Sequence, residues 1–204
     1  MPKRELTKLL GSMTPISKGL ASLLEHEDTH TRRVVKKKDL IMMPKMDVDE
    51  AHYLYTGLFK AYFLNNDGEE EIFFFFADNC IIVLPEEFLL EAKNLVYYLA
   101  AIEDSVLYSI SKKQMDVIYN DFPEAMVLTE LIRTDINAKR NMQLCIFRKK
   151  PCLRYALFAK EFYQIYKRGL PDKDIMSFLG ICQKTLTSSK REMVLKDRNK
   201  RRKI

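Results

Sequence analysis

The chain has 204 residues, 47% of them hydrophobic and 30% charged, the proportions of a globular protein with chain enough for two small cores, not those of a disordered one. No run of about 18 apolar residues occurs, which excludes a membrane-spanning helix. Met1-Pro2-Lys3-Arg4-Glu5 leads into no apolar secretory segment, so a cytoplasmic address is expected. The net charge of +6 is unevenly spread: from Arg148 to Ile204, 17 Lys and Arg stand against 5 Asp and Glu, a net +12, leaving −6 on residues 1–147. That asymmetry points to a polyanion as partner of the C-terminal part.

In chain order, Thr14-Pro15 predicts the start of a first helix, with Thr14 as N-cap and Pro15 in the first helical position. Ile16, Leu20, Leu23 and Leu24 follow at helical spacing. The basic run Arg32 to Lys38, just ahead of Leu40-Ile41, reads as an exposed strand in preference to a nucleic-acid patch. From His52 to Ser111 the character is β. Tyr53, Tyr55, Leu58, Tyr62 and Phe63 fall in short runs broken at Gly57, and Asn65-Asn66-Asp67-Gly68 predicts a hairpin, because Asp-Gly supplies the positive φ of a tight β-turn. Glu71 to Phe76, Ile81 to Leu84, Leu95 to Ala101 and Ser105 to Ile110 complete the strand series of a small sandwich or barrel. The four phenylalanines Phe73 to Phe76 cannot share one face of a strand, so both faces need cover.

After Ser111 the periodicity becomes helical. Ser111 caps a helix over Lys112 to Tyr119, and Asp121-Phe122-Pro123-Glu124 restarts a longer one with Pro123 inside it. Val127, Leu128, Leu131, Ile132 and Ile136 make an apolar stripe on this second helix, which serves either its own domain or a second copy in a dimer. Composition shifts near Arg148 to Pro151, giving three expected parts: residues 1–115, a long helix over 116–147, and 148–204. Pro151 opens a third helical region carrying Tyr155, Phe158, Phe162 and Ile165, closed by Gly169-Leu170-Pro171.

The four cysteines, Cys80, Cys145, Cys152 and Cys182, are scattered without C-x-x-C or nearby histidines, so they read as structural thiols with no metal and no cofactor. His26 and His30 lie four apart, but Thr29, Thr31 and the basic run place them at a helix end and loop, a solvated pair. No nucleophile–base or paired-carboxylate arrangement stands out, so no catalytic residue is assigned and an enzyme is not expected.

The informative segment is Asp172 to Glu192. A short helix from Asp174 buries Ile175 and Leu179, Gly180 supplies a turn, Ile181 plugs the angle, and a second helix starts near Cys182 with Leu186 inward. This is the spacing of a helix-turn-helix. The second helix offers Gln183, Lys184, Thr185, Thr187, Ser188, Lys190 and Arg191 to DNA, Gln and Lys for base edges and the hydroxyls and basic groups for phosphates. Lys196, Arg198, Lys200, Arg201 and Arg202 in the basic tail add salt-dependent phosphate affinity. Ser189 falls on the inward face with Cys182, Leu186 and Met193, where an aliphatic group would pack better.

Several stretches together resemble one family. They are Tyr53 to Leu58, a strand–glycine–strand step; Asn66 to Glu70, a hairpin; Ala101 to Leu107, the strand before a helical hinge; Asp121 to Glu124; and Arg154-Tyr155 with Asp174 to Leu186. From about Ile16 to Met193 the chain resembles the Crp/Fnr superfamily of transcription regulators, in particular its divergent Bacteroidetes members. The resemblance implies an α+β fold: an N-terminal β-roll of the cyclic-nucleotide-binding, jelly-roll type as sensor, a long dimerisation helix, and a C-terminal helix-turn-helix without a clear wing. It implies a homodimer on palindromic double-stranded DNA, with RNA polymerase as a further partner and no membrane association. Cyclic-nucleotide-responsive members carry Phe-Gly-Glu followed by an Arg-Ser or Arg-Thr pair; here those stretches read Asp78 to Ile82 and Asn94 to Tyr98. No arginine occurs between Lys36 and Ile132, so nothing there pairs bidentately with a cyclic phosphate, and cyclic AMP is not expected as the effector. The N-terminal cysteine cluster of iron–sulfur members is missing too. Ser188 stands where the family has an arginine, which leaves Gln183 and Lys184 as the base readers. The chain ends at Lys203-Ile204, so a wing is missing or replaced by the basic tail. The rival reading is a protein-interaction or ligand-sensing module that keeps this fold without reading DNA.

Overall fold

In the computed structural model the backbone is described from Pro2 to Arg201 and the side chains from Lys3 to Leu195. The chain divides into two compact units, one formed by the residues up to Phe63 with Phe75–Asn137, the other by Leu64–Phe74 with the chain from Ala138 onward.

The first unit is built on strands β1 (Thr31–Val35), β2 (Leu40–Met42), β3 (Glu50–Thr56), β4 (Leu58–Leu64), β5 (Glu70–Ala77), β6 (Cys80–Ile82), β7 (Tyr98–Ala101) and β8 (Ser105–Ser111). They form two four-stranded sheets, ordered β1-β8-β3-β6 and β2-β7-β4-β5. Because β1 and β2, β3 and β4, and β7 and β8 each change sheet, the chain rolls back and forth between two antiparallel layers, the β-roll expected. Gly57 makes the β3–β4 step possible: its φ is 131°, and a Cβ would come 2.9 Å from the Ser105 Cα and closer still to its side chain. The hairpin turn forms as predicted, with Gly68 at positive φ and its N–H donating to the Asn65 carbonyl at 3.0 Å. Phe74, Phe75 and Phe76 are all buried and Phe73 half-buried, so both faces of β5 are covered.

Helices α1 (Pro2–Met13), α2 (Lys18–Glu25), α4 (Lys112–Asp121) and the first half of α5 (Glu124–Phe147) lie on the face of the β1-β8-β3-β6 sheet that carries Ala51, Tyr53, Tyr108 and Ile110. Period-two alternation turns His52 and Leu54 to the other face. Ser111 closes a capping box with Gln114 at the start of α4.

Several expectations need correction. Residues 2–13, with no predicted element, are helical: Leu6, Leu9, Leu10 and Met13 recur at helical spacing beneath a charged start. The N-cap of α2 is Ser17, whose hydroxyl accepts from the Leu20 N–H at 3.2 Å; Thr14-Pro15 lies outside the helix. Leu95 and Val96 are not strand. The buried Asn94 side chain accepts from the Tyr97 N–H at 2.9 Å and donates to the Tyr97 carbonyl at 2.6 Å, making a local turn that leaves Leu95 78% exposed. The strand predicted to Leu84 stops at Ile82, and Pro85 opens α3 (Pro85–Leu89). Pro123 precedes α5 and is not inside it. His30 is not solvated: only 8% exposed, it is buried where His26 is exposed.

In the second unit α5 continues to Phe147, followed by α6 (Pro151–Glu161), α7 (Tyr163–Tyr166), α8 (Asp172–Leu179) and α9 (Gln183–Arg201). The third helical region breaks at Phe162 into α6 and α7 and does not run through. Among the described residues no strand follows β8.

Candidate nucleic-acid interface

Four aromatic rings hold the second unit. Phe158 meets Phe178 at 5.6 Å between centroids, Phe162 meets Phe178 at 5.4 Å, and Tyr166 meets Phe158 edge-on at 6.3 Å. On this platform α8 buries Ile175, Phe178 and Leu179, and α9 buries Leu186, as the spacing predicts. Gly180 ends α8 in the left-handed region (φ 56°, ψ 50°). The Ile181 N–H donates to the Met176 carbonyl at 3.1 Å and the Gly180 N–H to the Ser177 carbonyl at 3.3 Å, a Schellman closure that turns the chain sharply into α9. Ile181 is buried in the angle.

Arg154 is the residue that sequence reasoning quoted without giving it a task. Its Nη1 donates to the carbonyls of Leu179 and Gly180, both at 2.9 Å, and its Nε to Lys149 at 3.0 Å. It thereby satisfies orphan carbonyls at the end of α8 while lying over the Phe147 ring, 4.9 Å from its centroid.

Ser189 is buried as predicted, and its hydroxyl donates to the Cys152 carbonyl at 3.2 Å, so the inward hydroxyl is satisfied. Ser177 ties α8 to the hairpin tip that belongs to this unit: its hydroxyl donates to the Glu70 carbonyl at 2.7 Å and accepts from the Ile72 N–H at 2.9 Å.

With Leu186, Ser189 and Met193 inward, helical geometry puts Lys184, Ser188 and Arg191 on the opposite, exposed face of α9. Gln183 and Thr187 flank them, the first exposed and the second half-buried, with the Gln183 Nε2 3.4 Å from the Thr187 hydroxyl. Thr185 and Lys190 are half-buried at the sides. Lys190 is engaged in an ion pair with Asp172, and that ammonium, with the Gln183 amide, holds the Asp172 carboxyl below its ordinary pKa. Cys182, exposed ahead of α9, has its thiol pKa lowered by the Thr185 hydroxyl and by the N–H groups of Thr185 and Lys184, as a helix N-terminus does. The tail positions Lys196, Arg198, Lys200 and Arg201 continue α9, whereas Arg202 lies outside the described residues.

On α5, Leu128 and Ile136 are buried, Leu131 and Ile132 half-buried, and Val127 52% exposed. The stripe predicted as one face therefore divides between covered and open positions. Val127, Thr134, Ala138, Asn141 and Cys145 recur at heptad spacing along the exposed side.

The connection between β6 and β7, which includes α3, holds Glu86, Glu87 and Glu91, and its lysine, Lys93, lies 3.8 Å from the Asp47 carboxylate. Among the described residues no group of His, Cys, Asp and Glu could hold a metal ion. No helix there is long and apolar enough to cross a membrane.

No protein-family model matches the sequence. No curated protein matches it either. Solved structures do. A transcriptional regulator of the Crp/Fnr family from Eubacterium rectale aligns with TM-score 0.69 at 18% identity, over 91% of this chain and 88% of that one. FixK2 from Bradyrhizobium japonicum aligns with TM-score 0.66 at 15% identity, over 82% and 86%. The c-di-GMP-responsive global regulator CLP of Xanthomonas campestris aligns with TM-score 0.63 at 11% identity, over 89% and 93%. The chain has the fold of the Crp/Fnr transcriptional regulators: a mixed β-roll and a C-terminal helical region in one order.

Proposed function

We propose that this chain, which carries the Crp/Fnr regulator fold, is a sequence-specific DNA-binding transcription regulator working in the cytoplasm without cyclic AMP. The observation that carries the reading is the helix-turn-helix geometry of α8, Gly180 and α9, set in a region of net +12 charge with Lys184, Ser188 and Arg191 outward. Gln183 and Lys184 read base edges; Thr185, Thr187, Ser188 and Arg191 position the helix on phosphates and sugars, and Lys190 joins them if it leaves Asp172. Lys196, Arg198, Lys200, Arg201 and Arg202 add sequence-independent attraction.

The same reading makes residues 1–115 the sensor-type part, 116–147 the hinge and dimerisation part, which is not the single helix expected because α4 ends at Asp121 and α5 starts at Glu124, and 148–204 the DNA-binding part. Two copies pair through the open side of α5, around Val127 and Leu131, and set two α9 helices on the halves of a palindrome, from which RNA polymerase is contacted. The acidic β6–β7 loop and the missing arginine argue against a cyclic phosphate ligand.

Selection of bound duplexes from a random pool, followed by affinity measurement across a salt series, tests this. A regulator enriches a palindrome, and its affinity falls about 10³- to 10⁵-fold between 50 and 200 mM salt if it neutralises roughly 6–10 phosphates. No enriched sequence and weak binding at low salt would instead support the interaction-module reading.

A further inference from the structure

The first unit contains a cavity of about 100 Å³ between α1, α2, α4 and α5 on one side and the helix-facing side of the β1-β8-β3-β6 sheet on the other. Its wall is almost wholly apolar, with Leu20, Ala51, Ile110 and Leu128 among the lining residues. The polar side chains that reach it are mostly satisfied within the protein. The Tyr53 hydroxyl donates to Asn79 at 2.6 Å, and the Tyr119 and Thr129 hydroxyls bond each other at 2.9 Å. His30 is the exception: more than nine-tenths buried, it lines the same cavity, and neither ring nitrogen makes a well-formed hydrogen bond among the described residues, the Leu24 carbonyl drawing only weakly on the ring.

A buried imidazole with no well-formed hydrogen bond is rare, because each such group forfeits its hydration. An apolar cavity of this size is equally uncommon in a well-packed core. The two defects coincide, and one occupant would cure both. We infer that the cavity is a binding site for a small neutral molecule with an apolar body and one hydroxyl, the hydroxyl bonded to His30. Burial keeps the ring neutral, with a pKa of about 4, the Lys3 charge helping and the Leu24 carbonyl pulling weakly the other way. A neutral ring suits a hydroxyl, which donates to the bare nitrogen or accepts from the N–H. An apolar cavity of about 150 Å³ holds benzene, so the volume here, about two thirds of that, suits on the order of four or five non-hydrogen atoms. The inference does not depend on DNA binding and stands or falls separately from it.

Cyclobutanol, with methylcyclobutane as its apolar counterpart, is the probe, followed by thermal unfolding of the full chain and by nuclear Overhauser contacts to the His30 ring. Cyclobutanol should raise Tm saturably and contact the ring, with methylcyclobutane binding at least tenfold more weakly. His30→Phe should reverse that preference, and Ala51→Val, which fills part of the cavity, should weaken both ligands at least tenfold. If either variant fails to fold, the ring contacts in the unaltered chain decide. No saturable stabilisation and no ring contact, or equal stabilisation of both variants, overturns the inference and leaves a plain packing defect.

Discussion

Gly180 sets the angle at which α9 leaves α8, and replacing it with alanine should cost the second unit about 2–4 kcal/mol. Its φ of 56° lies where an L side chain loses roughly 1–2 kcal/mol. An added Cβ would also lie 2.5 Å from Phe147 Cζ and 2.8 Å from its Cε1, with Arg154 Nη1 at 3.3 Å. Phe147 is partly exposed and can swing aside, but it then leaves the Arg154 guanidinium, a contact worth about 0.5–1 kcal/mol. Displacing Arg154 as well endangers its bonds to the Leu179 and Gly180 carbonyls, charge-assisted and worth about 1.5–3 kcal/mol each at most. Urea unfolding of the unaltered chain, Gly180→Ala, Phe147→Ala and the double variant separates these parts. Once Phe147 is truncated, only the backbone cost of about 1–2 kcal/mol should remain for the glycine substitution. A Gly180→Ala chain within about 0.5 kcal/mol of the original, or a cycle without coupling between the two positions, would refute the reasoning.

His30 and His52 both have pKa values lowered from 6.5 to about 4, by burial first and then by Lys3 and Arg33 respectively. Below 6.5 the unfolded chain takes up protons that the fold refuses, so stability is full above that pH and is lost progressively toward 4, about 2 kcal/mol per histidine at pH 5. Proton NMR titration of the two rings checks this, and a ring titrating near 6.5 contradicts it. Arg154→Met should cost about 2–3 kcal/mol by urea unfolding, and Arg154→Lys should not restore it, since a single ammonium cannot serve both the Lys149 carbonyl and the pair on the turn. On selected duplexes, Arg191→Ala should weaken binding to every sequence and flatten the salt slope by about 1, whereas Lys184→Ala should remove about 1–3 kcal/mol of discrimination. Titrations on matched and scrambled duplexes distinguish the two, and identical behaviour would show that α9 does not divide the labour this way.

The sequence was most legible where one residue type has one use. Asp67-Gly68 announced a hairpin because few residues accept positive φ there, and Ser111 announced a helix because its hydroxyl and Gln114 close a box. The helix-turn-helix was legible for the same reason, in its Leu179-Gly180-Ile181 core. Legibility failed where tertiary contacts outvote local pattern. Leu95-Val96 has the composition of a strand, but the Asn94 side chain bonds its own chain and ends the ladder before it starts. His30 reads as a loop residue, and only the helices stacked on the sheet bury it. Arg154 escaped because its partners are backbone carbonyls 25 and 26 residues away, which no side-chain pattern records.

The same contacts bear on the serines of α9. An aliphatic residue at position 189 would bury more surface, at about 25 cal/mol per Å², but would hold the helix without fixing its rotation. A hydroxyl bonded to the Cys152 carbonyl fixes it, since a hydrogen bond weakens steeply once misaligned. Asp172 adds a second constraint by engaging Lys190 on the flank of α9, and Leu186 a third from its buried side. Three restraints on one side of a helix leave one outward orientation, the one carrying Lys184, Ser188 and Arg191. Ser189 therefore supports a reading head of defined rotation. Under that proposal Ser188, outward and short, leaves its position unselective, because a hydroxyl bonds any base edge or phosphate within reach whereas an arginine there would commit the position to guanine.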